Sequence, residues 1–239
     1  MLNLGKFILK RLLLDTEKLK FALPRIFPPS DPELTALRIK NFISTYLAWK
    51  FGLKLNTKPV ILQIEPVRGC NLNCIICGAG QLKLQKLSFD DFKKIIDYFP
   101  EAIAINMNFW GEPFLSKDTL KMINYAQKKF IITIFSKFTI LPPAEDIINS
   151  GLSEIHASID SFNKEKYNFI RRAVINPFSL VARKISEDLK KLYPEGMESQ
   201  IFKYENAIYI NENQDTFDKV IKNLKNLIYT RNKLKKNYQ

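Results

Sequence analysis

Between Pro59 and Arg172 the chain alternates short apolar runs with longer amphipathic ones four times. That rhythm restricts the fold more than any other feature of the sequence. The apolar runs are VILQIEPV (60–67), AIAINMNFW (102–110), FIITIF (130–135) and SEIHASID (153–160), each of strand length. The segments after them read as helices: SFDDFKKIIDYF, SKDTLKMINYAQKK, PPAEDIINS and NKEKYNFIRR. In the first, Ser88 is placed to cap the helix, and Phe92, Ile95, Ile96 and Phe99 fall on one face. Gly151 closes the third. Strand and helix in strict alternation predict an α/β domain of parallel strands with helical crossovers.

The strands carry a second pattern. A parallel strand covered on both faces is a nearly continuous hydrophobic run. Here Ile155, Ala157 and Ile159 alternate with His156, Ser158 and Asp160, and Ile105, Met107 and Phe109 alternate with Asn106, Asn108 and Trp110. Leu62 and Ile64 likewise oppose Gln63 and Glu65. Period-two geometry gathers each polar set on one side of its strand. With the apolar sides under the helices, the polar sides face a lumen, or pair among themselves. A closed eight-stranded barrel fills that space with branched side chains, so a polar lining predicts a more open barrel around a polar ligand.

Outside this core the expected organisation is threefold. Residues 1–58 read as a helical extension broken by the Pro-rich LPRIFPPSDPE, residues 173–214 as an insertion of helix plus hairpin, and residues 215–239 as an amphipathic helix. The formal charge of +13 sits mainly at the two ends. Residues 1–58 carry 11 Lys/Arg against 4 Asp/Glu and residues 215–239 carry 7 against 2, while the middle is nearly balanced. Such flanks either stay solvated or meet an anionic surface, nucleic acid or membrane. Phe42, Tyr46, Trp49 and Phe51 beside Lys50 and Lys54 favour the membrane version. The apolar start is interrupted by Lys10 and Arg11 and makes a poor signal peptide, so the cytoplasm is the expected location.

All three cysteines, Cys70, Cys74 and Cys77, lie in RGCNLNCIICGAG after the first strand. Three thiols in one loop cannot pair off, which argues against a disulfide framework. Spacing i, i+4, i+7 would suit one buried helix face, but Gly69, Gly78, Gly80, Asn71 and Asn73 oppose a helix there. A structural zinc ion takes four ligands, and His156 is the one histidine that could complete such a set. An iron–sulfur cluster takes one thiolate per iron, so three cysteines would leave one iron of a 4Fe–4S cluster open. The loop follows the C-terminal end of a strand, where α/β barrels place their chemistry.

CxxxCxxC in this position resembles the radical S-adenosylmethionine (radical SAM) superfamily. IEPVRGCNLNCIIC is similar to its cluster loop, FWGEPFLSKDTLKMINYAQKK to its Gly-Glu-Pro motif and following helix, and SGLSEIHASIDSFNKEKYNFIRR to its fourth strand and helix start. The resemblance implies an incomplete parallel (β/α) barrel over 59–172, with Cys70, Cys74 and Cys77 as cluster ligands. It implies S-adenosylmethionine chelated at the open iron and cleaved to a 5′-deoxyadenosyl radical that abstracts hydrogen from an unknown substrate. Gly111, Glu112 and Pro113 would receive the methionine amino group, Ser158 and Asp160 would point toward the ribose or carboxylate, and Arg171 would bind the carboxylate. A plain helix-surface role for Arg171 stays open. An electron donor such as a flavodoxin or ferredoxin is implied as partner.

Three departures from the family pattern bear on that expectation. Ile76 stands where an aromatic residue is common, Trp110 where a glycine is common, and Ser136-Lys137-Phe138 where Thr-Asn-Gly often ends the third strand. Only four of the family's six βα units are legible. A second chain or residues 173–214 would complete the barrel, or the protein is a truncated, inactive remnant that binds cofactor as a scaffold. 215–239 is similar to the helix that completes the fourth unit.

Overall fold

The computed structural model describes residues 22–171 and 216–237. Its centre is a parallel sheet of four strands: β1 (Ile61–Gln63), β4 (Ala104–Met107), β5 (Ile131–Ser136) and β6 (Glu154–Ala157), in the order β1-β4-β5-β6. Each of the four predicted apolar runs supplies one of them. The first run is shorter than expected, because Pro66 interrupts it and its end turns away as β2 (Val67–Arg68), paired antiparallel with β3 (Gln85–Lys86). Helices α2 (Phe89–Tyr98), α3 (Thr119–Ala126), α4 (Ala144–Asn149) and α5 (Lys164–Arg171) follow in the predicted places. Ser88 caps α2 as expected, its Oγ accepting from the Asp91 N–H at 3.1 Å. The architecture is that of an incomplete (β/α) barrel.

Strand register makes the two faces explicit. Leu62, Ile105 and Ile132 form one row, and Met107, Ile134 and Ile155 the next. These rows pack with Phe92, Met122, Ile123 and Ile147 from the helices into the core. The opposite face carries the row Gln63, Asn106, Thr133, Glu154, each partly or fully open to solvent. Burying the apolar rows is the main favourable term, at about 25 cal/mol per Å² removed from water. The polar rows are left for the concave side.

Helix α6 (Thr216–Asn237) lies against α4 and α5. The amphipathic helix expected over 215–239 turns Val220 and Leu227 inward to burial and packs Phe217 and Leu224 on the core, while Ile228 is exposed. The predicted insertion, 173–214, lies outside the described residues, as does 1–21.

The N-terminal extension is anchored by α1 (Pro32–Phe51), capped by Asp31 and ended by Gly52 in the left-handed region at φ 65°. Its Arg38 is buried at the opposite end of the strands from the cysteine loop. There Nε donates to the Pro100 carbonyl at 2.9 Å, and Nη1 to those of Arg25, Ile26 and Lys129 at 2.8, 3.0 and 2.8 Å. Pro100 and Lys129 follow the C-termini of α2 and α3, whose dipoles favour a cation. Among the described residues no helix is long and apolar enough to cross a membrane.

Candidate functional site

The loop after β2 and the C-terminal ends of β4, β5 and β6 open onto one cavity of about 270 Å³. Cys70, Cys74, Cys77, Gly111, Ser158 and Arg171 line it, so six of the nine residues singled out from the sequence meet there. Asn108, Phe109, Phe135 and Lys137 complete the strand-end contributions.

Backbone pairing sets the position of the cysteine loop. β2 and β3 clamp its two ends, and a parallel bridge joins Gly69 to Gly111. In that bridge the Gly69 N–H donates to the Trp110 carbonyl at 2.8 Å and the Glu112 N–H to the Gly69 carbonyl at 3.2 Å. The strand end carrying Gly111 is thereby tied directly to the base of the thiol loop. Asn71 Nδ2 adds a bond to Thr139 Oγ1 at 3.0 Å, and the Ile75 N–H one to the Ile170 carbonyl at 2.9 Å. Three separate βα units thus hold the loop.

Glu112 is buried completely and does not line the cavity. Its carboxylate accepts from Ser136 Oγ at 2.7 Å and from the Lys137 N–H at 2.8 Å. Burial raises its pKa, partly offset by those bonds and by the Lys137 charge. Glu112 therefore fixes the end of β5 against the end of β4. Pro113 opens a short 3-10 turn, and its carbonyl is taken by Thr119 Oγ1 at 2.6 Å. Of the three motif residues, Gly111 alone reaches the cavity wall.

Arg171 is not a surface arginine. It is buried, with Nη2 donating to the Ser158 carbonyl at 3.0 Å, Nη1 reaching Cys74 Sγ at 3.6 Å and Nε 2.5 Å from Asp160 Oδ2. Burial alone lowers its pKa, but Cys74 and Asp160 outweigh that and the net shift is upward. Asp160 holds the guanidinium and lies outside the cavity lining. Behind it Tyr167 is fully buried with its hydroxyl unpartnered among the described residues, and burial pushes its pKa up to about 12.

Two features of the site were not legible beforehand. Lys137, noted only as a departure from pattern, places Nζ 3.0 Å from the Gly111 carbonyl oxygen. Phe138 takes the left-handed conformation at φ 59°, where a glycine would be unstrained. It is held there by burial, by its N–H on Ser136 Oγ at 3.0 Å, and by Asn223 of α6 on its carbonyl at 2.7 Å. The turn needed by the site survives without its usual residue.

The donor set discriminates among groups that could bind. Three thiols face one cavity, yet no group of three His, Cys, Asp or Glu among the described residues converges to hold a metal ion. His156 is turned to Glu154, 3.2 Å away, and stacks on Phe135 at 4.5 Å. Cys70, Cys74 and Cys77 line the cavity with Lys137 and Arg171, and three thiols are donors of the kind that cluster iron takes. Burial pushes the Cys70 thiol up, so cluster iron would have to displace its proton.

A family model described as the radical SAM superfamily matches residues 64–224. A GTP 3′,8-cyclase of Campylobacter jejuni is 31% identical over 130 residues, which cover 49% of this chain and 38% of that protein. A 7,8-dihydro-6-hydroxymethylpterin dimethyltransferase of Methanocaldococcus jannaschii is 26% identical over 174 residues, covering 67% of this chain and 33% of that protein. The chain therefore spans well under half the length of these relatives. A crystal structure of BtrN in complex with AdoMet and 2-DOIA has a TM-score of 0.38 at 14% identity, covering 42% of this chain and 46% of that one.

Proposed function

Because the chain belongs to the radical SAM superfamily, we propose that its cavity holds a 4Fe–4S cluster and S-adenosylmethionine and serves radical chemistry on a substrate still to be identified. One observation carries this reading: three cysteines, a strand-end glycine carbonyl and a buried arginine converge on one cavity at the C-terminal edge of a parallel sheet. Cys70, Cys74 and Cys77 would each take one iron. When bound, cluster and cofactor supply one-electron cleavage of a sulfonium and a carbon radical able to abstract hydrogen. The chain's own residues bind, orient and shield. Arg171 has its charge balanced by Asp160, which aims it, and stands beside Cys74 where it would steady a thiolate or a carboxylate. Ser158 lines the cavity and would meet the ribose of the cofactor. An external electron donor is required.

The test is anaerobic reconstitution with iron and sulfide, followed by addition of S-adenosylmethionine. The expected result is a cluster whose spectrum shifts with the cofactor and is lost in Cys74→Ala. Cluster formation unaffected by that substitution overturns the reading.

Lys137 gives a finer expectation. Its ammonium occupies the Gly111 carbonyl that a methionine ammonium would use. Cofactor binding must then displace it, against like-charge repulsion from the sulfonium. Lys137→Met should tighten S-adenosylmethionine binding to the reconstituted protein about tenfold, or about 1.4 kcal/mol, by calorimetry. Weaker binding would instead make Lys137 a ligand for the carboxylate.

A further inference from the structure

Helix α1 turns large apolar side chains outward where a surface helix exposed to water would turn polar ones. Its inward stripe is Leu34, Arg38 and Asn41, two of them polar. Arg38 spends its donors on carbonyls of the body, and Asn41 bonds the Lys58 backbone through both its Nδ2 (3.1 Å) and its Oδ1 (2.9 Å). The outward stripe is Ile39, Phe42, Ile43, Tyr46 and Trp49, exposed by 43, 53, 52, 45 and 66%. At 100° per residue these five fall within about a third of the helix circumference. An apolar face of that extent in water marks an interaction surface.

Its rim decides the occupant. Besides the buried Arg38, residues 34–58 have four exposed cations, Lys40, Lys50, Lys54 and Lys58, and no Asp or Glu. Lys50 lies on the outward face, its Nζ 5.5 Å from the Tyr46 ring centre and 5.3 Å from that of Phe51. Two copies meeting through this face would set lysine against lysine with no carboxylate between them. A bilayer with anionic headgroups meets both needs, burying the apolar stripe and neutralising its lysine rim. Tyrosine and tryptophan suit the headgroup level. The sequence of residues 1–21 is of the same character, five Lys/Arg against two Asp/Glu around FILKRLLL.

The geometry points to α1 as a peripheral docking helix for an anionic lipid surface, its outward stripe seated at the headgroup boundary. Arg38 fixes this helix to the end of the sheet opposite the cysteine loop, so docking leaves the cavity uncovered. The surface is independent of the cluster and of any catalytic role.

Co-sedimentation of the full chain with phosphatidylglycerol and phosphatidylcholine vesicles tests it. Binding should appear with the anionic vesicles at low salt and weaken as salt rises. Phe42→Ser with Trp49→Ser should reduce it at least tenfold, and so should Lys50→Glu with Lys54→Glu. All four residues are exposed, and circular dichroism and thermal unfolding verify that the variants fold. No vesicle binding overturns the proposal, as does binding that survives both double substitutions. A dimer that Phe42→Ser/Trp49→Ser dissolves, in the absence of vesicle binding, assigns the face to a second copy instead.

Discussion

Replacing Gly111 by alanine is expected to cost about 3 kcal/mol or more of stability and to abolish cluster assembly. A Cβ at this position would overlap the Val67 carbonyl oxygen, stand 2.7 Å from the Val67 carbonyl carbon and 3.0 Å from the Gly69 oxygen. All three are backbone atoms of the strand that opens the cysteine loop, so no side-chain rotation relieves the clash. The bridge Gly69–Gly111 must then part, and with it the two hydrogen bonds that join the thiol loop to β4. Against a total stability of about 5–15 kcal/mol, that loss is a large fraction. Gly78→Ala is the contrasting variant, since its Cβ would meet only the tip of the Trp110 side chain at 3.2 Å. Trp110 is partly exposed and has room to shift, so Gly78→Ala should stay within about 1 kcal/mol. Urea unfolding of the metal-free proteins, with iron content after reconstitution, measures both effects. Equal stability of the two variants would show that the bridge does not hold the loop.

The sheet was legible because its physics is local. Ile105 and Met107 alternate with Asn106 and Asn108, and period two alone sorts them to opposite faces. The helices were legible for the same reason, from Ser88 at one end of α2 to Gly151 after α4. What escaped notice depends on contacts between residues distant in sequence. Glu112 reads as a ligand because a carboxylate beside Gly111 is polar and at a strand end. That it is buried and spent on Ser136 and Lys137 depends on β5 lying beside β4. Arg171 reads either as a carboxylate partner or as a plain helix-surface residue, because α5 is otherwise polar, and only the fold turns this part of the helix toward Cys74. The pairing of β2 with β3 escaped because two-residue strands have no period to detect. The polarity of α1 misleads in the same manner: by its charge Arg38 belongs on the surface, and the structure buries it.

That reversal sets the second large effect. Arg38→Met should destabilise the protein by about 4 kcal/mol while leaving the geometry of the cavity intact in the fraction that remains folded. The guanidinium serves four carbonyls at once, from Arg25, Ile26, Pro100 and Lys129, and stands 5.1 Å over the Phe130 ring. Methionine fills the volume but donates nothing, leaving buried acceptors without partners, each at about 1–3 kcal/mol. Burial lowers the Arg38 pKa to about 10, which still leaves it protonated at neutral pH, so the donors are present throughout the physiological range. Lysine keeps the charge but not the fork, and its single nitrogen cannot reach carbonyls on both sides. Arg38→Lys should therefore recover only part of the loss. Thermal unfolding of the three proteins orders them, with the natural arginine highest and methionine lowest. Because Arg38 ties α1 to the carbonyls of Pro100 and Lys129 in the body, protease cleavage between 22 and 58 should rise in parallel. If Arg38→Met unfolded at the same temperature as the parent, the extension would be a passenger on the barrel instead of the cap that closes its lower end.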